Sequence, residues 1–104
     1  MMETLKFSHV AKRRLSGTKG QAIIGVVASG NLEVLLERVL PEAACEVEIA
    51  TPLTGYSETW KAVVAEFVER SSPGGLRISI NDGGARPDTV FLRLVQGSAL
   101  METE

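Results

Sequence analysis

The sequence has one cysteine, one histidine and five aromatic residues among its 104 positions. Each scarcity removes a class of function. A lone thiol, Cys45, can close no internal disulfide and build no cysteine-rich zinc cluster, and it suits a reducing cytoplasm. The single imidazole, His9, rules out a pair of histidine metal ligands and leaves any Ser-His-Asp triad dependent on one base near the chain's start. The longest uninterrupted export-like apolar run, Ala22 to Ala28, is seven residues and follows Lys12-Arg13-Arg14. A bilayer-spanning helix needs about 18 or more apolar residues, so no membrane span is expected. Basic residues before a buried strand produce the same pattern as a short signal. Aromatics hardly interleave with the basic residues, which argues against nucleic-acid binding.

What remains is a globular composition, 44% hydrophobic and 23% charged, at the length of one domain covering residues 1–104. Charge is unevenly placed. The first 20 residues hold five bases (Lys6, Lys12, Arg13, Arg14, Lys19) against Glu3, whereas the remaining 84 hold six bases against twelve acids. The basic segment around 8–20 reads as a solvated, loosely held loop, with a contact for phosphate or an acidic partner surface as the alternative, and the tail from Ser98 reads as frayed.

Periodicity organises the rest. Leu5–Val10 alternates as a first strand, and Gln21–Ala28, rich in Ile and Val, fits a buried one. Ser29-Gly30-Asn31 then turns the chain, because Gly and Asn both tolerate positive φ. Leu32, Val34 and Leu36 line one face of a returning strand, so 21–36 is expected as a hairpin; a helix capped by Asn31 is the alternative. Cys45-Glu46-Val47-Glu48-Ile49 places Cys45 inward as a small hydrophobe and the two glutamates on the solvated side.

Trp60, Val63, Val64, Phe67 and Val68 form one apolar stripe at helical spacing. A helix over 57–71 is predicted, with Ser57 as N-cap, Glu58 in the first turn, Arg70 in the last and Pro73-Gly74-Gly75 as the stop. Trp60 is then a core anchor. Leu76–Ile80 and Val90–Leu94 both alternate and are expected to pair across the Asn81–Asp88 loop as a second hairpin, with Asp82-Gly83 as an ordinary turn pair. The fold class is α+β: a mainly antiparallel sheet of five to six short strands and one main amphipathic helix.

Catalytic motifs are missing. Ser29 is not in a Gly-x-Ser-x-Gly elbow, because Val27 and Asn31 stand at the glycine positions. Ser16-Gly17-Thr18-Lys19-Gly20 lacks phosphate-loop spacing and precedes a strand, not a helix. No metal site and no catalytic residue emerge. The one chemically suggestive position is Ser29 itself, a hydroxyl presented at a tight turn beside an unshielding glycine, accessible to a modifying enzyme. A turn serine bonded to its own backbone is the plain alternative.

Here the sequence resembles a known family. Ala28-Ser29-Gly30-Asn31-Leu32-Glu33-Val34-Leu35-Leu36 is similar to the prosthetic-group motif of the acyl carrier (delta) subunits of malonate decarboxylase, related to the citrate lyase gamma chain. Met2-Glu3-Thr4-Leu5, Glu58-Thr59-Trp60-Lys61-Ala62 and Asp82-Gly83-Gly84-Ala85-Arg86-Pro87 agree in the same order, over most of residues 1–96. The family often has Asp where this chain has Asn31.

The resemblance implies a non-catalytic carrier subunit. Ser29 would bear a phosphoribosyl-dephospho-coenzyme A arm through a phosphodiester, and the arm's thiol would shuttle acetyl and malonyl groups. Implied partners are the decarboxylase subunits, an acetyl/malonyl transferase subunit and a prosthetic-group transferase (holo-carrier synthase), all cytoplasmic. A citrate lyase-type carrier and an unmodified interaction subunit are the alternatives.

Overall fold

The computed structural model describes residues 2–103. Five strands and two helices follow in the order β1 (Glu3–Val10), β2 (Gln21–Gly25), β3 (Leu32–Arg38), β4 (Ala44–Thr51), α1 (Ser57–Ser71), β5 (Leu76–Asp82) and α2 (Pro87–Met101). The strands form one sheet ordered β1-β4-β5-β3-β2. All neighbours are antiparallel except β4 and β5, which run parallel across the α1 crossover. A parallel pair needs such a crossover, and a helix supplies it.

The alternation read from sequence decides which sheet face is covered. Leu32, Val34 and Leu36 of β3, Cys45, Val47 and Ile49 of β4, and Leu76, Ile78 and Ile80 of β5 are all buried on one side. Trp60, Val64, Phe67 and Val68 of α1 and Val90, Leu94 and Met101 of α2 join them in one core. Glu46, Glu48 and Arg77 stand exposed on the strands' other side. Helices on one face and a solvated sheet on the other make a two-layer α+β sandwich.

Cys45 is 1% exposed, and burial, with a contribution from Glu46, pushes its thiol up to about 12. The thiolate is the reactive form, so iodoacetamide should leave Cys45 unmodified in the folded chain at pH 8 and alkylate it once urea is added. Because the folded thiol holds its proton more tightly than the unfolded one, its contribution to stability is complete below the unfolded pKa. That contribution falls as pH rises from about 9 towards 12.

Several expectations are corrected. Val90–Leu94 is not a strand but lies within α2, so there is no second hairpin. The alternation of Val90, Leu92 and Leu94 breaks down in a longer window. Val90, Leu94, Gly97, Ser98 and Met101 are the buried set, at helical spacing, and Leu92 is exposed. Pro87 at the first helical turn and Asp88 beside it are start signals. Gly97 permits close packing, since a Cβ there would meet Leu36 Cδ1 at 2.6 Å. The tail is helical through Met101, with Ser98 and Met101 buried, so it is packed where fraying was expected.

In α1, Tyr56 takes the N-cap position without a side-chain cap, and Ser57 is already helical. Strand β2 is an edge strand, with Ile23 exposed, where a buried strand was expected.

The basic segment is also no loose loop. Residues up to Val10 belong to β1, and Ala11 and Leu15 are buried. The Ser72 hydroxyl accepts from Arg13 N at 3.0 Å and donates to Arg13 O at 3.2 Å, while Leu15 N donates to Gly74 O at 2.9 Å. Arg38 adds a clamp: its guanidinium donates to the carbonyls of Leu15 (2.6 Å), Ser16 (3.1 Å), Lys19 (3.1 Å) and Met101 (2.8 Å). One side chain thus ties the strap to the C-terminal end of α2. Charge-assisted bonds of this kind are worth about 1.5–3 kcal/mol, so Arg38→Ala should lower unfolding free energy by about that amount in a urea titration. It should also open the 12–19 segment to trypsin.

Candidate functional site

Three connections meet at one end of the sheet: the β2–β3 turn (26–31), the β4–α1 loop (52–56) and the β5–α2 loop (83–86). The β2–β3 hairpin expected from sequence is present, with Gly25 opposite Glu33 and Ala22 opposite Leu36. Ser29 sits in its connecting turn and is exposed, as are Val26, Val27, Ala28 and Gly30. Gly30 has φ +74°, a left-handed value that favours glycine, and a Cβ there would meet open space. Nothing beside Ser29 shields its hydroxyl on that side.

The turn is nevertheless firmly held. Asn31 N donates to Ala28 O at 2.9 Å, and the Asn31 side-chain oxygen accepts from Leu32 N at 2.8 Å and Arg93 Nε at 3.3 Å. Gly83, from the β5–α2 loop, pairs its backbone across the turn: Gly30 N donates to Gly83 O at 3.1 Å, and Gly83 N to Asn31 O at 2.8 Å. None of these bonds uses the Ser29 hydroxyl, so its neighbours fix the turn and leave the oxygen to solvent. A Cβ on Gly83 would overlap the Ala28 carbonyl and lie 2.9 Å from Asn31 O. Glycine is required there by the close approach.

Asp82, read from sequence as half of a hairpin turn, has another role. It is 3% exposed; Oδ2 accepts from Thr51 Oγ1 at 2.8 Å and Oδ1 from Ala85 N at 2.9 Å. Leu53 N in turn donates to Thr51 Oγ1 at 3.1 Å. The carboxylate therefore joins the 52–56 and 83–86 loops, and Gly83 joins the latter to the Ser29 turn. Arg93, from the second turn of α2, completes the support and also donates to Gln96 Oε1 at 2.9 Å. Sequence reasoning reads Gly83 only as part of a turn and Arg93 only as part of a strand, because their bracing of the Ser29 turn acts across long sequence separations.

His9 lies on β1, which pairs only with β4 at the opposite sheet edge from the β2–β3 hairpin. Among the described residues no group of three or more His, Cys, Asp or Glu is placed to hold a metal ion, and no helix is long and apolar enough to cross a membrane. The geometry is that of a presented hydroxyl on a braced turn.

Residues 19–101 match the malonate decarboxylase delta subunit family. The chain belongs to that family. Among curated relatives, the chain is 61% identical over 95 residues to a malonate decarboxylase acyl carrier protein of Bradyrhizobium diazoefficiens, covering 91% of this chain and 90% of that one. It is 46% identical over 101 residues to a malonate decarboxylase acyl carrier protein of Xanthomonas euvesicatoria, covering 97% and 96%. Among solved structures, it resembles a chain of a Pseudomonas malonate decarboxylase hetero-tetramer crystallised with malonate. That match has a TM-score of 0.83 and 35% identity, and covers 95% of this chain and 98% of the other. The family membership expected from the Ser29 motif is thus found, as is the α+β class expected from the periodicity of the chain. The match spans the Ser29 turn, α1, the 82–87 loop and all of α2, the elements that build the site.

Proposed function

We propose that this chain is the non-catalytic acyl carrier subunit of a malonate decarboxylase, with Ser29 Oγ as the attachment oxygen for a phosphoribosyl-dephospho-coenzyme A arm. The observation that carries the reading is the exposed Ser29 on a turn braced by Gly83 and Asn31, in a chain of this family. When bound, the arm supplies a terminal thiol that holds acetyl and malonyl groups as thioesters.

The chain's own residues fit that group. The hydroxyl is free to form a phosphodiester, and Gly30 leaves room beside it. A phosphodiester on Ser29 carries one negative charge. Arg93, which pairs with no carboxylate in the described ion pairs, brings a positive charge to Asn31, two residues away. An Asp at position 31 would neutralise that guanidinium; Asn31 leaves its charge to offset the phosphate.

Ser29 acts as a tether throughout and never attacks substrate. A tether raises the local concentration of bound acyl group at separate active sites, and a braced turn keeps the pivot of that search fixed. The partners of the reading are decarboxylase subunits, an acetyl/malonyl transferase subunit and the holo-carrier synthase that loads Ser29, in the cytoplasm. The acidic surplus after residue 20 steers encounter with basic partner patches.

The test is complementation. Supplied to a host lacking its own malonate decarboxylase carrier subunit but retaining the loading enzymes, this chain should restore malonate-dependent release of carbon dioxide. Restoration of citrate cleavage alone, in a host lacking the citrate lyase carrier, would favour the citrate branch. Failure in both, with the folded chain present, would contradict a carrier role.

A further inference from the structure

The end of the sheet that carries Ser29 also holds a cavity of about 310 Å³, bounded by the β4–α1 loop, α1, the β5–α2 loop and the start of α2. Its apolar wall comes from Leu53, Tyr56, Trp60, Val63, Ala85 and Val90. Leu53 and Tyr56 are 42% and 51% exposed, so the cavity opens to solvent and is not a sealed packing gap. Its size is at the lower end of the range for small-molecule sites. Trp60 and Val90, 5% and 2% exposed, form its inner wall.

Its position relative to Ser29 follows from the hydrogen bonds. Asp82 and Gly84 line the cavity, and Gly83 between them is bonded to Gly30 and Asn31 on either side of the turn. With about 3.8 Å between successive Cα atoms and about 5.5 Å across a bonded backbone pair, Ser29 lies no more than roughly 13 Å from the cavity wall. A group joined to Ser29 through a phosphoribosyl unit carries its adenosine next to the attachment end and its thiol at the far end. The adenine ring is also the one flat, weakly polar part of such an arm. Amide-rich pantetheine and a charged malonyl group gain little from an apolar wall.

We propose that this cavity holds the adenine base of the arm attached to Ser29, an inference that rests on the carrier reading above. Trp60 and Tyr56 provide aromatic contact for the ring. The Asp82 oxygens each accept one bond from the protein and retain lone pairs for the exocyclic amine, since an ionised carboxylate has about four acceptor sites. Arg86, exposed at the rim and paired among the described residues with exposed Asp88 at 3.6 Å, supplies a positive charge of the sign the arm's phosphates need. Holding the base fixes the near half of the arm and leaves the pantetheine half to swing. The pivot moves from the serine oxygen to the cavity mouth.

Trp60 is the sole tryptophan and reports directly. The chain is prepared unloaded and loaded by co-expression with its loading enzymes, and intact mass establishes the adduct on Ser29. The loaded chain should lose Trp60 fluorescence relative to the unloaded one and show nuclear Overhauser contacts from adenine protons to Trp60 and to Val63 and Val90 methyls. Ala85→Leu, which fills the cavity, should return loaded-chain fluorescence to the unloaded level while the adduct mass stays. An adduct on Ser29 with unchanged Trp60 emission and no such contacts would overturn this inference and leave the carrier reading intact. Absence of the adduct would overturn both.

Discussion

Ser29→Ala should abolish attachment of the arm and lower overall malonate decarboxylation by about 10²-fold or more, the scale on which tethering raises local concentration. The same substitution should shift stability by no more than about 0.5 kcal/mol, because the side chain is exposed and the turn's hydrogen bonds belong to Gly30, Asn31 and Gly83. That separation gives the experiment its force. Loss of turnover with an unchanged melting curve and unchanged assembly with partner subunits identifies a tether. Loss of turnover together with loss of assembly would make Ser29 a structural contact, and unchanged turnover would remove the carrier chemistry from this position. Mass spectrometry and a malonate-dependent carbon dioxide assay on the reconstituted complex read both arms.

The second large effect is at Gly83. A Cβ there would overlap the Ala28 carbonyl, and backbone cannot rotate out of the way as a side-chain end can. Gly83→Ala must therefore separate the β5–α2 loop from the Ser29 turn, breaking one or both of the bonds Gly30 N to Gly83 O and Gly83 N to Asn31 O. Overpacking of this kind costs about 1–3 kcal/mol. For a chain this size, each kcal/mol lowers the melting temperature by about 4–8 °C. Loading of Ser29 should slow as well, since the transferase then meets a displaced turn.

Gly55→Ala is the informative contrast. Gly55 has φ +84°, so an alanine there is strained, yet its Cβ would meet nothing. It should cost about 1 kcal/mol and leave loading unchanged. Equal loading defects in the two variants would show that general destabilisation, not the turn's position, controls modification.

How much of this was legible beforehand depends on the range of the interactions involved. Helix 57–71 was readable in its extent, though not in its N-cap, because its stripe, first-turn acid and Pro-Gly-Gly stop are all local, and the β2–β3 hairpin because Gly30-Asn31 separates two apolar runs. The alternation of Cys45, Val47 and Ile49 gave the buried face of β4 for the same reason. Helix α2 was hidden because Gly97, packed closely against Leu36 of β3, and the buried Ser98 interrupt its apolar stripe, while Val90, Leu92 and Leu94 imitate a strand. The strap at 11–15 looked solvated because its retention depends on Ser72 and Arg38, which are distant in sequence.

The site divides in the same way. Ser29 could be found from its turn and its motif. Its supports could not: Gly83 reaches the turn only because β5 pairs with β3, and Arg93 only because α2 is a helix that packs across β2 and β3. The cavity is assembled by three connections whose convergence depends on the parallel β4–β5 crossover, a feature with no local signature.

The most direct test is the intact mass of this chain purified from a host with the loading enzymes active, followed by peptide mapping across the β2–β3 turn. The account predicts an added coenzyme-A-like mass located on Ser29 and on no other residue. A chain of unmodified mass, or an adduct mapped elsewhere, would contradict it.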